Sequence, residues 1–102
     1  FRSVAVKYED TQGRLLVLDS IKAVNLRTAE AYTYYPPDTI YAKGFYTIVT
    51  DNDRKKISER GDTIRVEAIK GNLRDIANFV VAGGECACHI SKLSGPTKIV
   101  LQ

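Results

Sequence analysis

Thr63-Ile64-Arg65-Val66-Glu67-Ala68-Ile69-Lys70-Gly71-Asn72-Leu73-Arg74-Asp75-Ile76-Ala77-Asn78-Phe79-Val80-Val81-Ala82-Gly83-Gly84 is the stretch on which the fold turns. In its first half Ile64, Val66 and Ala68 alternate with Arg65, Glu67 and Lys70, and a period of two predicts a half-buried strand from Thr63 to Ile69. In its second half Leu73, Ile76, Ala77 and Val80 fall at i, i+3, i+4 and i+7, the stripe a helix lays on a core. Asn72 suits the N-cap, Asp75 stands three residues on, and Gly83-Gly84 is a stop signal. These signals predict one C-terminal helix over 72–82. A rival reading carries the helix to Cys88. Ala77, Val81, Gly84 and Cys88 then form a small-residue face whose close packing offsets the ~1 kcal/mol that each glycine costs in a helix interior.

Upstream of this stretch the chain reads as strands and turns. Val4, Val6 and Tyr8 alternate with polar or small neighbours, and Glu9 to Gly13 is a turn. Arg14 to Leu18 is apolar at almost every position and is expected to be a central strand. Ile21 to Arg27 alternates less cleanly, and Ala31 to Tyr35 is rich in the strand formers tyrosine and threonine. Pro36-Pro37 ends that run. Thr39 to Thr50 is long and β-rich, with Gly44 as a bend or bulge. Arg54 to Ile57 is expected to be a short return strand between the turns Asp51-Asn52-Asp53 and Glu59 to Asp62. Turn signals at this spacing suggest a small barrel or sandwich. The expectation is a mainly β chain: an OB-like barrel of six to seven strands over residues 1–70, the helix over 72–82, and a tail over 89–102. At 102 residues it forms a single domain.

Composition narrows the function classes. The net charge of +3 permits nucleic-acid binding, but unrelated domains share it. No run approaches the ~20 apolar residues of a membrane-spanning helix, so no membrane insertion is expected. Cys86 and Cys88 are one residue apart, too close for an unstrained bridge, and are read as reduced thiols. Together with His89 they supply three soft ligands, where a zinc site wants four in wider pairs, so no metal is assigned. A Cys–His nucleophile needs both side chains within hydrogen-bond reach. Cys88 and His89 are adjacent, and on a strand they point to opposite faces. No phosphate-binding glycine loop or Ser/His/Asp set is present. The expectation is a non-enzyme with no cofactor.

The aromatic and basic residues carry the binding hypothesis. Tyr32, Tyr34, Tyr35, Tyr41, Phe45 and Tyr46 lie in one span, with Lys43 among them and Arg54-Lys55-Lys56 following. Sequence-tolerant single-strand binders pair a basic groove with rings on which bases stack. Period two on a strand lets about half of such rings face solvent, the others being core. Lys43, Tyr46, Arg54, Lys55, Lys56, Arg60 and Arg74 are the residues assigned to RNA.

The ends of the chain add a further expectation. It has no methionine and closes on Val100-Leu101-Gln102. Leu101-Gln102 is what a chymotrypsin-like viral cysteine protease leaves when it cuts after glutamine, so excision from a polyprotein is expected.

Ala68-Ile69-Lys70, then Gly71-Asn72-Leu73-Arg74, then an apolar segment and a tail ending Val100-Leu101-Gln102, resembles the C-terminal third of the coronavirus nonstructural protein nine family, as a distant, torovirus-like member. The likeness is specific over Thr63 to Val81 and at the terminus. It implies a compact barrel with one C-terminal helix, weak non-specific binding of single-stranded RNA, and service to the viral RNA polymerase in a replication complex in the host cytoplasm. It also implies a homodimer through the helix, which here would use Leu73, Ile76, Ala77, Val80, Val81 and Gly84. Where the family has a small-xxx-small motif this chain has Val80-x-x-x-Gly84 and Gly83-x-x-x-Ala87. Phe1-Arg2 does not match the family's paired asparagines. The alternative is a dimerisation or protein-interaction module of the replicase without RNA affinity. A small bacterial β-domain is the reading outside the viral setting.

Overall fold

A computed structural model describes residues 2–32 and 45–102. The described elements are β1 (Ser3–Glu9), β2 (Ser20–Asn25), β3 (Ala31–Tyr32), β4 (Phe45–Thr50), a 3-10 helix (Asp51–Lys56), β5 (Asp62–Lys70), β6 (Leu73–Ala82), β7 (Ser91–Ser94) and β8 (Lys98–Val100). They form two sheets, one ordered β4-β1-β8 and the other β3-β2-β5-β6-β7. All described pairings are antiparallel except β1 with β8. The expected mainly β architecture is present. The described strands make two sheets over one apolar core rather than a closed barrel.

The predicted helix is a strand. β5 and β6 form a hairpin in unbroken register from Asp62↔Val81 to Lys70↔Leu73. Only Gly71-Asn72 is left to connect them, and Gly71 has φ +58°, as the first position of a type II′ turn requires. The apolar residues of 73–82 satisfy both periodicities. As a strand, Leu73, Ala77, Phe79 and Val81 turn inward, while Ile76 is 44% exposed. The helical stripe leaves out Phe79, the largest apolar side chain of the segment, whereas the strand buries it completely and gives β5 its partner. The rival extension to Cys88 fails for the same reason: residues 83–90 are turns and irregular chain. The expected tail over 89–102 carries β7 and β8.

Gly83 and Gly84 end β6 because the chain there runs against the 3-10 helix. Their N–H groups donate to Ser58 O at 3.0 Å and Arg54 O at 2.6 Å. A Cβ on Gly83 would lie 2.6 Å from Arg54 O, and one on Gly84 would collide with the Glu59 side chain. The glycines therefore serve a contact within the chain, not a helix crossing.

One bent segment joins the two sheets. β7 pairs with β6, β8 pairs with β1, and only Gly95-Pro96-Thr97 separates them. Gly95 has φ +132° and packs against the Phe79 ring, which no other residue could do at that φ. Asp51 ties the same side together. Its Oδ2 accepts from Arg2 N at 2.6 Å and lies 2.7 Å from His89 Nδ1, and its Oδ1 accepts from Ile90 N at 2.9 Å. Desolvation works against the Asp51 charge, but the bonds from His89, Ile90 and Arg2 outweigh it and hold this carboxyl well below the usual carboxylate range.

Two other expected strands differ. Arg14 to Leu18 meets β1 only at the bridge Glu9↔Leu15. Tyr46 holds it instead, its hydroxyl accepting from Leu18 N at 2.8 Å and donating to Leu16 O at 3.1 Å. Arg54 to Ile57 is 3-10 helix and cap, because Thr50 and Asp53 close a capping box around its start. The core takes Val4, Val6 and Tyr8 from β1, Tyr46 and Ile48 from β4, and Ile64, Val66, Phe79 and Val81 from the hairpin. The rings of Tyr8 and Tyr46 meet edge to face at 5.8 Å.

Candidate nucleic-acid interface

The outer face of the three-stranded sheet brings an exposed ring between cations. Register sets Phe45 opposite Lys7 and Lys7 opposite Lys98, one rank across β4, β1 and β8. Alternation turns all three outward, since their neighbours Tyr46, Val6, Tyr8 and Ile99 are buried. Phe45 is 41% exposed, the one exposed ring among the described residues. Adjacent strands lie about 4.8 Å apart, so Phe45 and Lys98 stand on the order of 10 Å from each other. Lys7 Nζ lies 3.2 Å from Glu9 Oε1, which orients it along the sheet. Lys98 is exposed and has no carboxylate partner among the described residues. In the next rank, Leu15 and Val100 flank Glu9 and are each 40% exposed.

Most of the residues assigned to RNA from sequence lie elsewhere. Lys43 is outside the described residues, as are Tyr34, Tyr35 and Tyr41. Tyr46 is a core residue, 1% exposed: period two sends it inward when Phe45 faces out, and its hydroxyl is spent on Leu16 and Leu18. Tyr32 is likewise buried, its hydroxyl accepting from Asn25 Nδ2 at 3.1 Å. Lys55 and Lys56 are exposed on the 3-10 helix, with Lys56 Nζ 3.8 Å from Glu30 Oε2, and Arg54 is half-buried beside them. Arg60 is exposed in the following turn. Arg74 is at the other end of the hairpin, paired with Ile69. Seven residue steps of strand lead from Asp62 to Ile69, roughly 24 Å. Arg74 is also engaged, both Nε and Nη2 donating to Glu67 Oε2. Arg54, Lys55, Lys56 and Arg60 thus share one end of the molecule, and Arg74 does not join them.

The six residues assigned to a dimer face do not share a surface. Leu73, Ala77 and Val81 face the core, Ile76 and Val80 face outward, and Gly84 is buried against Glu59. A strand sends alternate residues to opposite sides, so the stripe that a helix would present is split. Leu101 is 2% exposed and its N–H donates to Glu9 O at 2.9 Å, while Gln102 is exposed.

Lys98 and Lys7 were missed because their shared rank depends on a parallel pairing between the two ends of the chain, which no local pattern announces. The Cys86–His89 segment is turn and irregular chain. Both thiols are exposed, and His89 is spent on Asp51. No group of three potential metal ligands occurs among the described residues. No helix among them is long and apolar enough to cross a membrane. Compared with protein-family models, curated proteins and solved structures, the chain finds no significant match in any of the three.

Proposed function

We propose that this protein binds single-stranded RNA weakly and without sequence preference, through the outer face of its three-stranded sheet. The observation that carries the reading is the rank Phe45–Lys7–Lys98, a ring beside a lysine paired with Glu9 and a lysine unpaired among the described residues, on an open sheet. Sequence-tolerant single-strand binding needs that pairing, because every base has a face to stack and every nucleotide a phosphate to neutralise. No part of the reading requires catalysis or a cofactor. The resemblance over Thr63 to Val81 supports a setting beside a viral RNA polymerase. It does not support a dimer through 73–84, since 73–82 is a strand with its apolar residues on both faces and Gly84 is buried against Glu59.

Two or three phosphate contacts give a single-strand salt slope of about −0.7 per contact, hence roughly tenfold weaker binding between 50 and 200 mM salt. Fluorescence anisotropy with a single-stranded RNA of about 20 nucleotides tests this. Phe45→Ala is expected to remove about 1–3 kcal/mol of stacking, and Lys98→Glu to flatten the salt slope. If Lys55→Glu/Lys56→Glu abolishes binding while Phe45→Ala leaves it intact, the 3-10 helix is the site and the sheet is not. No binding at low salt leaves the protein-interaction reading in its place.

A further inference from the structure

The opposite side of the molecule carries a second, chemically different surface. The outer face of β2, β5 and β6 stacks in ranks: Lys22 with Glu67 and Ile76, then Val24 with Arg65 and Asn78. Leu26 continues β2 beside Thr63, its N–H donating to Thr63 O at 2.9 Å. A depression of about 210 Å³ is lined by Lys22, Val24, Leu26, Arg65 and Glu67. Leu26 is 53% and Ile76 44% exposed, and Leu93, 57% exposed, reaches Gly61 beside Val80 at the far rim.

The charges decide what fits. Glu67 is neutralised by Arg74, which donates two hydrogen bonds to it. Lys22 and Arg65 have no carboxylate partner among the described residues. Two unspent cations therefore border a strip of aliphatic side chains. Among the described residues no ring stands on this face, and these offer bases no aromatic platform. The depression is smaller than the roughly 300–1,000 Å³ of small-molecule cavities and open enough for side chains of a partner. We infer that this face docks an acidic–apolar peptide segment of a protein partner, its aliphatic residues over Val24 and Leu26 and its carboxylates at Lys22 and Arg65. Complementary charge of this kind sets orientation and rejects basic partners.

The probe is a 12-residue peptide, three repeats of Glu-Ser-Leu-Ser, which when extended presents Glu and Leu alternately on one face. Its control replaces Glu with Lys. Each is titrated into the full isotope-labelled chain, with backbone amide shifts as the readout. The expected result is saturable shifts centred on Lys22, Val24, Leu26 and Arg65 with the acidic peptide, and none with the basic one. Lys22→Glu/Arg65→Glu should weaken binding at least tenfold, and Leu26→Ser severalfold, with melting temperatures near that of the parent. Equal binding of both peptides, shifts centred on Phe45 and Lys98, or no saturable binding would overturn the inference. So would single-stranded RNA shifting the amides of Lys22 and Arg65, which would assign this face to nucleic acid. The proposal does not depend on the RNA reading of the other sheet.

Discussion

Two carboxylates, Asp62 buried and Asp75 half-buried, act on stability in opposite directions. Asp62 is 3% exposed and accepts four hydrogen bonds, from Arg27 Nε and Nη2, Asn25 Nδ2 and Ser58 N. The Arg27 bond leads, burial opposes it, and the net effect holds the carboxyl at about 2. A carboxyl depressed in the folded state stabilises it at every pH above the unfolded value near 3.9, and that stability is lost as pH falls from about 4 through about 2. Asp62→Ala is expected to cost about 3 kcal/mol at pH 7, measured by urea unfolding, since it removes one of the two acceptors of Asn25 Nδ2 and unpairs Arg27. The deficit should shrink in acid. Asp75 behaves in reverse. It faces inward from β6, and its Oδ2 and the Tyr8 hydroxyl are buried without partners among the described atoms. Burial raises the Asp75 carboxyl, and burial with the nearby Asp75 charge raises the Tyr8 hydroxyl. A carboxyl raised in the folded state costs nothing below the unfolded value, and its penalty grows as pH rises through the folded one. Asp75→Asn should therefore stabilise the protein by about 1 kcal/mol at pH 7, the low end of the cost of a stranded buried polar group. The gain should vanish near pH 3. Equal stability of the two proteins at pH 7 would mean that Asp75 is solvated.

The elements show why part of the fold was legible and part was not. β1 and β5 alternate strictly enough that only a strand buries their apolar set, β2 less cleanly, and sequence places all three. Residues 73–82 answer to two periods at once, and the choice rests on a neighbour, since β5 has an open edge that β6 fills along its whole length. Gly71-Asn72 carries the local signal, a two-residue glycine-first connection between apolar runs, but the same residues also fit the approach to a helix cap. Phe45 is legible as a candidate ring, whereas the inward side of Tyr46 is not, because the phase of β4 is set by its pairing with β1. Substitutions separate the two readings of 73–82. Phe79→Ala should cost about 3–5 kcal/mol, as for a fully buried ring, and Ile76→Thr less than about 0.5 kcal/mol, as for a surface position. A helix would reverse that order. The glycines differ in the same assay. A Cβ on Gly71 meets nothing within 4 Å, so Gly71→Ala costs only its left-handed backbone, about 1 kcal/mol. Gly83→Ala should cost at least about 1 kcal/mol more, because its Cβ would lie 2.6 Å from a carbonyl oxygen that cannot move without the 3-10 helix.

At the scale of the whole molecule the two sheets present different chemistry to solvent. The three-stranded sheet shows a ring and two lysines, and the five-stranded sheet shows aliphatic side chains with two unspent cations. A diffuse positive field would make the two faces interchangeable, because with a net charge of +3 every lysine and arginine contributes to attraction of a polyanion. A built site makes them separable. The Debye length at physiological salt is about 8 Å, shorter than the thickness of two packed sheets at about 10 Å between their midplanes. Charges on one outer face are thus largely screened from a ligand on the other. Lys7→Glu/Lys98→Glu and Lys22→Glu/Arg65→Glu each change the net charge by four, so a field effect predicts equal losses of RNA affinity for the two double variants. Local recognition predicts a loss of at least tenfold for the first and less than twofold for the second, read by anisotropy at 150 mM salt with circular dichroism confirming the fold of each. Equal losses would leave only nonspecific attraction and would withdraw Phe45 from its stacking role. Unequal losses in the expected direction, together with an acidic peptide that still binds the Lys7→Glu/Lys98→Glu protein, would mean that one chain of 102 residues can hold RNA on one sheet while its other sheet engages a protein.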